Sequence, residues 1–237
     1  MFAIFNNWLF FWLIPVGVIL CRLFRGEDPR EKGSQNSGGT NVGRLYGKKL
    51  GGITIILDAI KTVIPMILVW VLLNFAGIKY YFYENLGENM FHNGALVIML
   101  APLGATIGHC WPVFANFRGG KAVASYAGFA FFTSWLSFLI SFLVFGIVLK
   151  KSKYVSLSSM ISSIVAAVLG WLFFALISIS KINVNLAFWG FGKIELWAVA
   201  NFEYATASTL ITLMLIFRHR KNIKKLIDGN ENKIKWM

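Results

Sequence analysis

An arginine, two adjacent glycines and a lysine interrupt an apolar stretch in the middle of the chain, in the segment GHCWPVFANFRGGKAVASYAG. These four residues are Arg118, Gly119, Gly120 and Lys121. Adjacent glycines let the backbone turn tightly and direct its N–H groups into a concavity, and a helix that begins at Lys121 would add the positive end of its dipole. Together these features predict a site for phosphate. A tight turn at a membrane surface would use the same residues, so the motif alone leaves both interpretations open.

This motif differs from the loops that bind nucleotides. The pattern G-x-x-x-x-G-K-[ST] would need glycine at Ala115 and a hydroxyl at Ala122 to hold Mg²⁺. The two cysteines of the chain lack the spacing of metal ligands, and the sequence contains no cluster of carboxylates. We therefore expect a phosphate site that uses neither a metal nor another cofactor.

A second polar stretch, Asp28–Gly52, precedes the first long apolar run after the N-terminus. Its glycines and its Asp-Pro pair argue against one regular helix. The stretch carries small hydrogen-bonding side chains and one guanidinium fork: Ser34, Asn36, Thr40, Asn41 and Arg44. An ordinary polar loop is the alternative, but the density of small polar residues with glycine favours a binding loop.

The third polar stretch lies near the C-terminus and reads FRHRKNIKKLIDGNENKIK, Phe217–Lys235. A basic tail that anchors a membrane protein would explain its lysines and arginines. Such a tail would not need His219, Asn222 or Glu231, and the first two would share one face of a helix. These three residues are therefore candidates for the same site.

Asp58 and Lys61 lie inside an apolar run, three positions apart, so a helix would place them on one face. Ionised side chains inside a membrane are costly and usually face an internal cavity. A structural ion pair near the membrane surface explains them equally well. The pair is therefore a candidate part of the site, with both interpretations open.

Composition assigns the chain to the integral membrane proteins. Of its 237 residues, 57% are hydrophobic and 14% are charged, and the mean hydropathy is +0.65. Soluble domains are about 45–50% apolar and about 25% charged. The apolar runs are continuous, which predicts an all-α polytopic membrane protein with a single domain over 1–237. We predict about seven transmembrane helices, near residues 2–21, 52–78, 94–115, 121–133, 134–149, 155–179 and 200–217.

The distribution of the net charge of +13 predicts the topology. Lysines and arginines cluster in segments that are all cytoplasmic if the N-terminus is outside and the C-terminus is cytoplasmic. This pattern argues against nucleic acid as a partner. It also requires that 121–149 form two short spans, because one long helix would place Lys150, Lys151 and Lys153 outside.

All three polar stretches lie on the cytoplasmic side of this topology. A transporter would need polar groups that cross the membrane, so their confinement to one side favours an enzyme at the membrane surface. A small anion or phosphate transporter with a cytoplasmic phosphate site is the alternative.

The three stretches resemble the motifs of a known family, the bacterial glycerol-3-phosphate acyltransferases that use acyl phosphate (the PlsY type). The matching residues are GSQNSGGTN followed by Arg44, then GHCWPVFANFRGGKAVA, then RHRKNIKKLIDGNE, and the resemblance extends over essentially the whole chain. Asp58 and Lys61 fall where the family places a similar pair. The chain departs from the family pattern at Gln35 and Ala122, where glycine is usual, and at Gly39, where alanine is usual.

The resemblance implies transfer of a fatty acyl group from acyl phosphate to the 1-position of sn-glycerol 3-phosphate, giving lysophosphatidic acid and phosphate. It implies a bacterial inner membrane location with the active site facing the cytoplasm. The sequence sets no oligomeric state, and a monomer is consistent with it. We predict five catalytic residues, Ser34, Arg44, Lys121, His219 and Asn222. The predicted substrate-binding residues are Asn36, Thr40, Asn41, Asp58, Lys61, His109, Arg118, Gly119, Gly120 and Glu231.

For the mechanism we expect direct attack of the glycerol 3-phosphate hydroxyl on the acyl carbonyl, because no Ser–His–Asp spacing and no reactive-looking cysteine occurs. The leaving phosphate or a substrate phosphate oxygen would accept the proton. An acyl-enzyme on Ser34, with His219 as its base, is the alternative.

Overall fold

The computed structural model describes residues 15–75, 95–180 and 202–234, and every regular element in these ranges is helical. The helices are α1 (Val16–Arg25), α2 (Gly39–Tyr46), α3 (Lys48–Phe75), α4 (Ala95–Cys110), α5 (Val123–Thr133), α6 (Trp135–Ser152), α7 (Val155–Ser180), α8 (Phe202–Arg218) and α9 (Arg220–Ile227). A short 3-10 turn, Val113–Ala115, follows α4. The prediction of an all-α protein is confirmed for this part of the chain.

Three of the described helices contain stretches long and apolar enough to cross a membrane: Lys48–Val69 of α3, the whole of α6, and Val155–Leu176 of α7. Each predicted helix from 52–78 onward has a counterpart within a few residues. Most of the helix predicted at 2–21 lies outside the described residues, as do the predicted outer segments 79–93 and nearly all of 180–199. The seven spans and the orientation of the termini stay predictions.

The stretch 121–149 forms two helices, as the charge distribution required. Helix α5 ends at Thr133 and α6 begins at Trp135, with the buried Ser134 between them. The Ser134 hydroxyl oxygen accepts a hydrogen bond from the amide of Ser137, so it caps α6. A single residue therefore separates the two helices, and its side chain satisfies one of the amides at the start of α6.

Two short helices, α2 and α9, lie within the polar stretches. The sequence argued against one regular helix over Asp28–Gly52, and the structure places the eight-residue α2 there, after an irregular segment. Glycines let α2 approach α3 closely, since a Cβ at Gly51 would lie 2.6 Å from the Cα of Gly43 and 2.8 Å from the carbonyl oxygen of Gly39. This contact fixes the first polar stretch against a long helix.

Helix α5 lies among the longer helices and has buried residues along most of its length. Phe129 stacks on Tyr204 of α8 with ring centroids 5.4 Å apart, and the Tyr126 hydroxyl lies 2.6 Å from the hydroxyl oxygen of Ser208. Gly128 packs on the backbone of Ala59 in α3, where a Cβ would lie 2.5 Å from the carbonyl oxygen. These contacts hold the start of α5, and the Gly-Gly-Lys loop before it, at one end of the helices.

Candidate active site

A cavity of about 360 Å³ joins the three polar stretches. Eleven of the fifteen predicted site residues line it: Ser34, Asn36, Thr40, Asn41, Arg44, Asp58, His109, Lys121, His219, Asn222 and Glu231. The other four, Lys61, Arg118, Gly119 and Gly120, do not line it. The structure therefore brings together residues that are almost 200 positions apart in the sequence.

A chain of hydrogen bonds connects the second and third polar stretches at this cavity. The Lys121 ammonium donates to Asn222 Oδ1 across 2.8 Å, and Asn222 Nδ2 donates to Glu231 Oε1 across 2.8 Å. The Ser156 hydroxyl donates to the same carboxylate oxygen across 3.0 Å. The second oxygen of this carboxylate, Oε2, is buried and makes no hydrogen bond within the described part of the chain.

Lys121 is the cation best placed for an anionic ligand. Burial lowers its pKa to about 8, while the negative charge of Glu231 raises it and the positive charge of Arg44 lowers it further. At neutral pH the side chain is still an ammonium group, but one that has lost much of its water. An anion can bind such a group with little further desolvation.

His219 follows α8 and is almost fully buried on the cavity wall. Its Nδ1 lies 2.8 Å from the carbonyl oxygen of Leu215, which can only accept, so Nδ1 carries the hydrogen. Burial lowers the pKa of the imidazole to about 4, so the ring is neutral at physiological pH. Its Nε2 is then a hydrogen-bond acceptor, suited to a hydroxyl group.

Asn41 organises the first polar stretch. Its Nδ2 donates to the carbonyl oxygens of Pro29, at 2.7 Å, and Asn36, at 2.9 Å, while its Oδ1 accepts from the amide of Ser34 at 2.9 Å. The Asn36 side chain reaches the second stretch, with Nδ2 3.4 Å from the carbonyl oxygen of Gly119. Sequence reasoning placed both amides at the substrate, and the structure shows that they also shape the loop.

Arg44 lies at the exposed rim of the cavity, on the last turn of α2. One guanidinium nitrogen donates to the carbonyl oxygen of Asn232 across 3.2 Å, which ties α2 to the C-terminal tail. Within the described ranges this is the hydrogen bond that the fork makes, which leaves its other nitrogens for an anion that approaches from the rim.

Asp58 and His109 form a buried pair on the wall, with His109 Nδ1 3.4 Å from Asp58 Oδ1. The sequence paired Asp58 with Lys61, with which it interacts electrostatically, and the structure gives Asp58 a further partner at the end of α4. Lys61 is buried on α3 but does not line the cavity, and Arg118 is exposed outside it.

The Gly119-Gly120 pair does not present the whole of the predicted concave array of N–H donors to a ligand. The Gly120 N–H donates to the carbonyl oxygen of His109 across 3.0 Å, inside the protein. A Cβ at Gly120 would lie 1.8 Å from Nε2 of the same histidine, and a Cβ at Gly119 would lie 2.1 Å from its carbonyl oxygen. The glycines are therefore needed for close packing. Helix α5 also begins at Val123, two residues later than predicted.

Two arginines were missed by the sequence analysis. Arg30 binds Asp28 through its guanidinium at 2.6 Å and also donates to the carbonyl oxygen of Ala115 across 2.8 Å, which joins the first and second stretches. The hydrogen bonds that Asp28 accepts from Arg30, together with the positive charges of Arg30 and Arg22, lower the pKa of Asp28 to about 2. Arg218 donates to the carbonyl oxygens of Gly119 and Gly120. Both arginines stand in segments whose positive charge was attributed to topology.

The remaining wall of the cavity is apolar or weakly polar and comes mostly from three helices. Three alanines of α5, three phenylalanines of α6 and four serines of α7 line it: Ala124, Ala127, Ala130, Phe138, Phe142, Phe145, Ser156, Ser159, Ser162 and Ser163. The hydroxyls of the last three serines donate to carbonyl oxygens of their own helix, so they offer few free donors. A wall of this kind suits an alkyl chain.

Comparison with known proteins agrees with this geometry. Residues 9–229 match the family described as "Glycerol-3-phosphate acyltransferase". The chain belongs to the glycerol-3-phosphate acyltransferase family. A glycerol-3-phosphate acyltransferase from Listeria monocytogenes serovar 1/2a is 35% identical over 224 residues, covering 94% of this chain and 91% of the relative. One from Syntrophotalea carbinolica is 33% identical over 222 residues, with 94% and 91% covered.

Two crystal structures of PlsY (YgiH), described as an integral membrane glycerol 3-phosphate acyltransferase, share the fold of this family member. The glycerol 3-phosphate form has a TM-score of 0.71 and 28% identity. The lysophosphatidic acid form has a TM-score of 0.68 and 27% identity. Each comparison covers 98% of this chain and 94% of the other. The resemblance seen in the motifs is confirmed, and the apolar helices together with the family make this a multi-pass membrane protein.

Proposed function

We propose that this chain transfers a fatty acyl group from acyl phosphate to the 1-hydroxyl of sn-glycerol 3-phosphate, forming lysophosphatidic acid and inorganic phosphate. The observation that carries the proposal is one cavity with two different halves. Lys121, Arg44 and His219 stand at its polar half, while the alanines of α5 and the phenylalanines of α6 form the other half. Two phosphate groups and one alkyl chain match these halves.

The polar half supplies each interaction that the reaction needs. Lys121 and Arg44 hold the two phosphates, whose mutual repulsion would otherwise keep the substrates apart. Neutral His219 accepts a hydrogen bond from a glycerol hydroxyl, and Asn222 keeps the Lys121 ammonium in place. Ser34, Thr40 and Asn36 complete the wall from the first polar stretch.

The transfer is direct in this proposal. The 1-hydroxyl oxygen bonds to the acyl carbonyl carbon, the bond from that carbon to the phosphate oxygen breaks, and the proton goes to a phosphate oxygen. An acyl-enzyme on Ser34 would need a base, but no hydrogen bond joins its hydroxyl to His219 in the described part of the chain. This geometry favours the direct route, which uses no metal and no cofactor.

The proposal includes a setting for the enzyme. A single domain over 1–237 crosses a bacterial inner membrane seven times, with the N-terminus outside. The polar half of the cavity is built from α2 and the segment before it, from the α4–α5 connection and from the segment after α8, which the charge distribution assigns to the cytoplasm. Water-soluble glycerol 3-phosphate then reaches the site from the cytoplasmic side.

Donor choice tests the proposal directly. Purified protein should release phosphate and form lysophosphatidic acid from acyl phosphate and glycerol 3-phosphate, and should not do so with acyl-CoA. Sealed proteoliposomes loaded with phosphate test the transporter alternative in the same preparation. Phosphate efflux without acylation would reject the enzyme, and acylation from acyl-CoA alone would reject the donor.

A further inference from the structure

The Arg218 guanidinium donates two hydrogen bonds to the backbone of the Gly-Gly-Lys loop. Nη2 donates to the carbonyl oxygen of Gly119 across 3.0 Å, and Nε donates to the carbonyl oxygen of Gly120 across 3.0 Å. These carbonyls belong to consecutive peptide planes, and the second plane ends at the nitrogen of Lys121. One side chain therefore sets the orientation of both planes that lead into Lys121.

The opposite side of the loop is also held. In a trans peptide the N–H points away from the C=O, and the Gly120 N–H accordingly donates to the carbonyl oxygen of His109 across 3.0 Å. Both glycines press on His109 so closely that neither could carry a Cβ without a shift. The loop is therefore fixed by contacts with the end of α4 on one side and with the end of α8 on the other.

Arg218 is itself held in place by an aromatic ring. Its guanidinium carbon lies 5.4 Å from the centre of the Trp111 ring, and Trp111 lies 6.4 Å from the Phe217 ring. Stacking on a tryptophan face stabilises a guanidinium and restricts its rotation. The fork is thus pre-oriented before any substrate arrives.

We infer that Arg218 is a positioning residue that fixes the Gly119–Lys121 backbone and so places the Lys121 ammonium for the phosphate of the substrate. The inference rests on the proposed function. Arg218 does not line the cavity, so it acts through the loop. Lysine could keep the positive charge, but it cannot hold two carbonyl oxygens in the geometry of a planar fork.

The test compares Arg218→Lys with Arg220→Lys. Arg220 is a matched control because it also stacks on an aromatic ring, that of Phe217 at 4.7 Å, and is exposed. Each protein is purified, its melting temperature is measured, and KM and kcat are measured with acyl phosphate and glycerol 3-phosphate. Isothermal titration calorimetry measures glycerol 3-phosphate binding without the reaction.

We expect Arg218→Lys to raise KM and Kd for glycerol 3-phosphate roughly ten-fold, with kcat changed less and with an almost unchanged melting temperature. Arg220→Lys should match the wild type. Arg218→Ala should lose more activity than Arg218→Lys. Guanidinium chloride at millimolar concentration should restore part of the activity of Arg218→Ala, whereas sodium chloride at equal ionic strength should not.

Two results would overturn the inference. One is wild-type KM and Kd in Arg218→Lys. The other is unfolding of that variant at the assay temperature, because Arg218 would then serve the fold rather than the loop. An inactive wild type that still binds glycerol 3-phosphate would reject the proposed function instead, and the comparison of Kd values would still decide the role of Arg218.

Discussion

Lys121 and Asn222 are 101 positions apart in the sequence, and the Lys121 ammonium donates to Asn222 Oδ1 across 2.8 Å. The bond has a direction that Glu231 enforces, because Asn222 uses its NH₂ group on that carboxylate and must present its oxygen to the lysine. Asn222→Asp would place a second carboxylate beside Glu231 and against Lys121. We expect that change to lower kcat/KM for glycerol 3-phosphate at least about ten-fold, because the added negative charge opposes a phosphate.

The pH dependence of substrate capture should report Lys121. Burial lowers its pKa to about 8, so the ammonium is present below that pH and is lost as the pH rises through it. We therefore expect kcat/KM for glycerol 3-phosphate to fall above about pH 8, since this parameter follows ionisation of the free enzyme. A profile of initial rates from pH 6 to 10 measures the fall.

Lys121→Arg provides the control for this profile. A guanidinium keeps its charge throughout the range, so the alkaline fall should move upward or disappear, whatever the absolute rate. An identical alkaline limb in both proteins would assign the titration to another group.

A double-mutant cycle tests the packing of Gly120 on His109. Gly120→Ala must displace the imidazole, because the added Cβ would lie 1.8 Å from its Nε2. We expect about 1–3 kcal/mol of destabilisation, together with a raised KM for glycerol 3-phosphate because the loop moves. Thermal unfolding and steady-state kinetics measure the two effects.

In a His109→Ala background, Gly120→Ala should lower the free energy of unfolding much less, because the added Cβ no longer meets an imidazole ring. Equal destabilisation in both backgrounds would mean that the contact with His109 is not the reason that position 120 requires glycine.

Two departures from the family pattern fall at left-handed backbone positions. Gln35 has φ of 53° and Ala122 has φ of 66°. A side chain there costs about 1 kcal/mol, so Gln35→Gly should raise the melting temperature by about 2–4 °C.

Ala122→Gly should raise the melting temperature less than Gln35→Gly, because it also removes a fully buried methyl group whose burial contributes roughly 0.8 kcal/mol. Ala166→Gly in α7 is the matched control, since a buried helical alanine should lose stability on the same change. A lower melting temperature for Gln35→Gly would contradict the strain argument.

The helices could be predicted from the sequence because apolar runs and charge clusters act over whole segments. The break near Ser134 was predicted because two short spans, unlike one long helix, place Lys150 and its neighbouring lysines on the cytoplasmic side of the membrane. The convergence of His219, Lys121 and Arg44 was predicted because all three stretches were assigned to the same side.

The internal role of the Gly-Gly-Lys loop could not be predicted. Glycine at 119 and 120 is compatible both with a backbone that faces a ligand and with one that packs on another residue, and only the position of His109 decides between them. The contact of Arg218 with the loop was missed for a related reason. A basic residue at the cytoplasmic end of an apolar helix is already explained by the positive-inside rule, so its presence does not indicate a second role. The pairing of Asp58 with His109 depends on two separate helices, which no local spacing reveals.

The order of substrate addition separates the two mechanisms. Direct transfer requires both substrates in the cavity at once, so double-reciprocal plots at several donor concentrations should intersect, and EDTA should not inhibit. An acyl-enzyme would give parallel lines and an acylated peptide containing Ser34 after incubation with donor alone. Isolation of that peptide would reject direct transfer while leaving the acyltransferase function in place.

The most direct test of the account measures formation of lysophosphatidic acid from acyl phosphate and glycerol 3-phosphate by the purified wild type, Arg44→Lys and Arg220→Lys. Arg44 at the rim of the cavity can hold a phosphate with two parallel hydrogen bonds, which lysine cannot reproduce. We expect an active wild type and an active Arg220→Lys, with kcat/KM reduced at least about ten-fold in a folded Arg44→Lys. A wild type that forms no lysophosphatidic acid, or an Arg44→Lys variant with normal kinetics, would contradict the assignment of this cavity as the acyltransferase site.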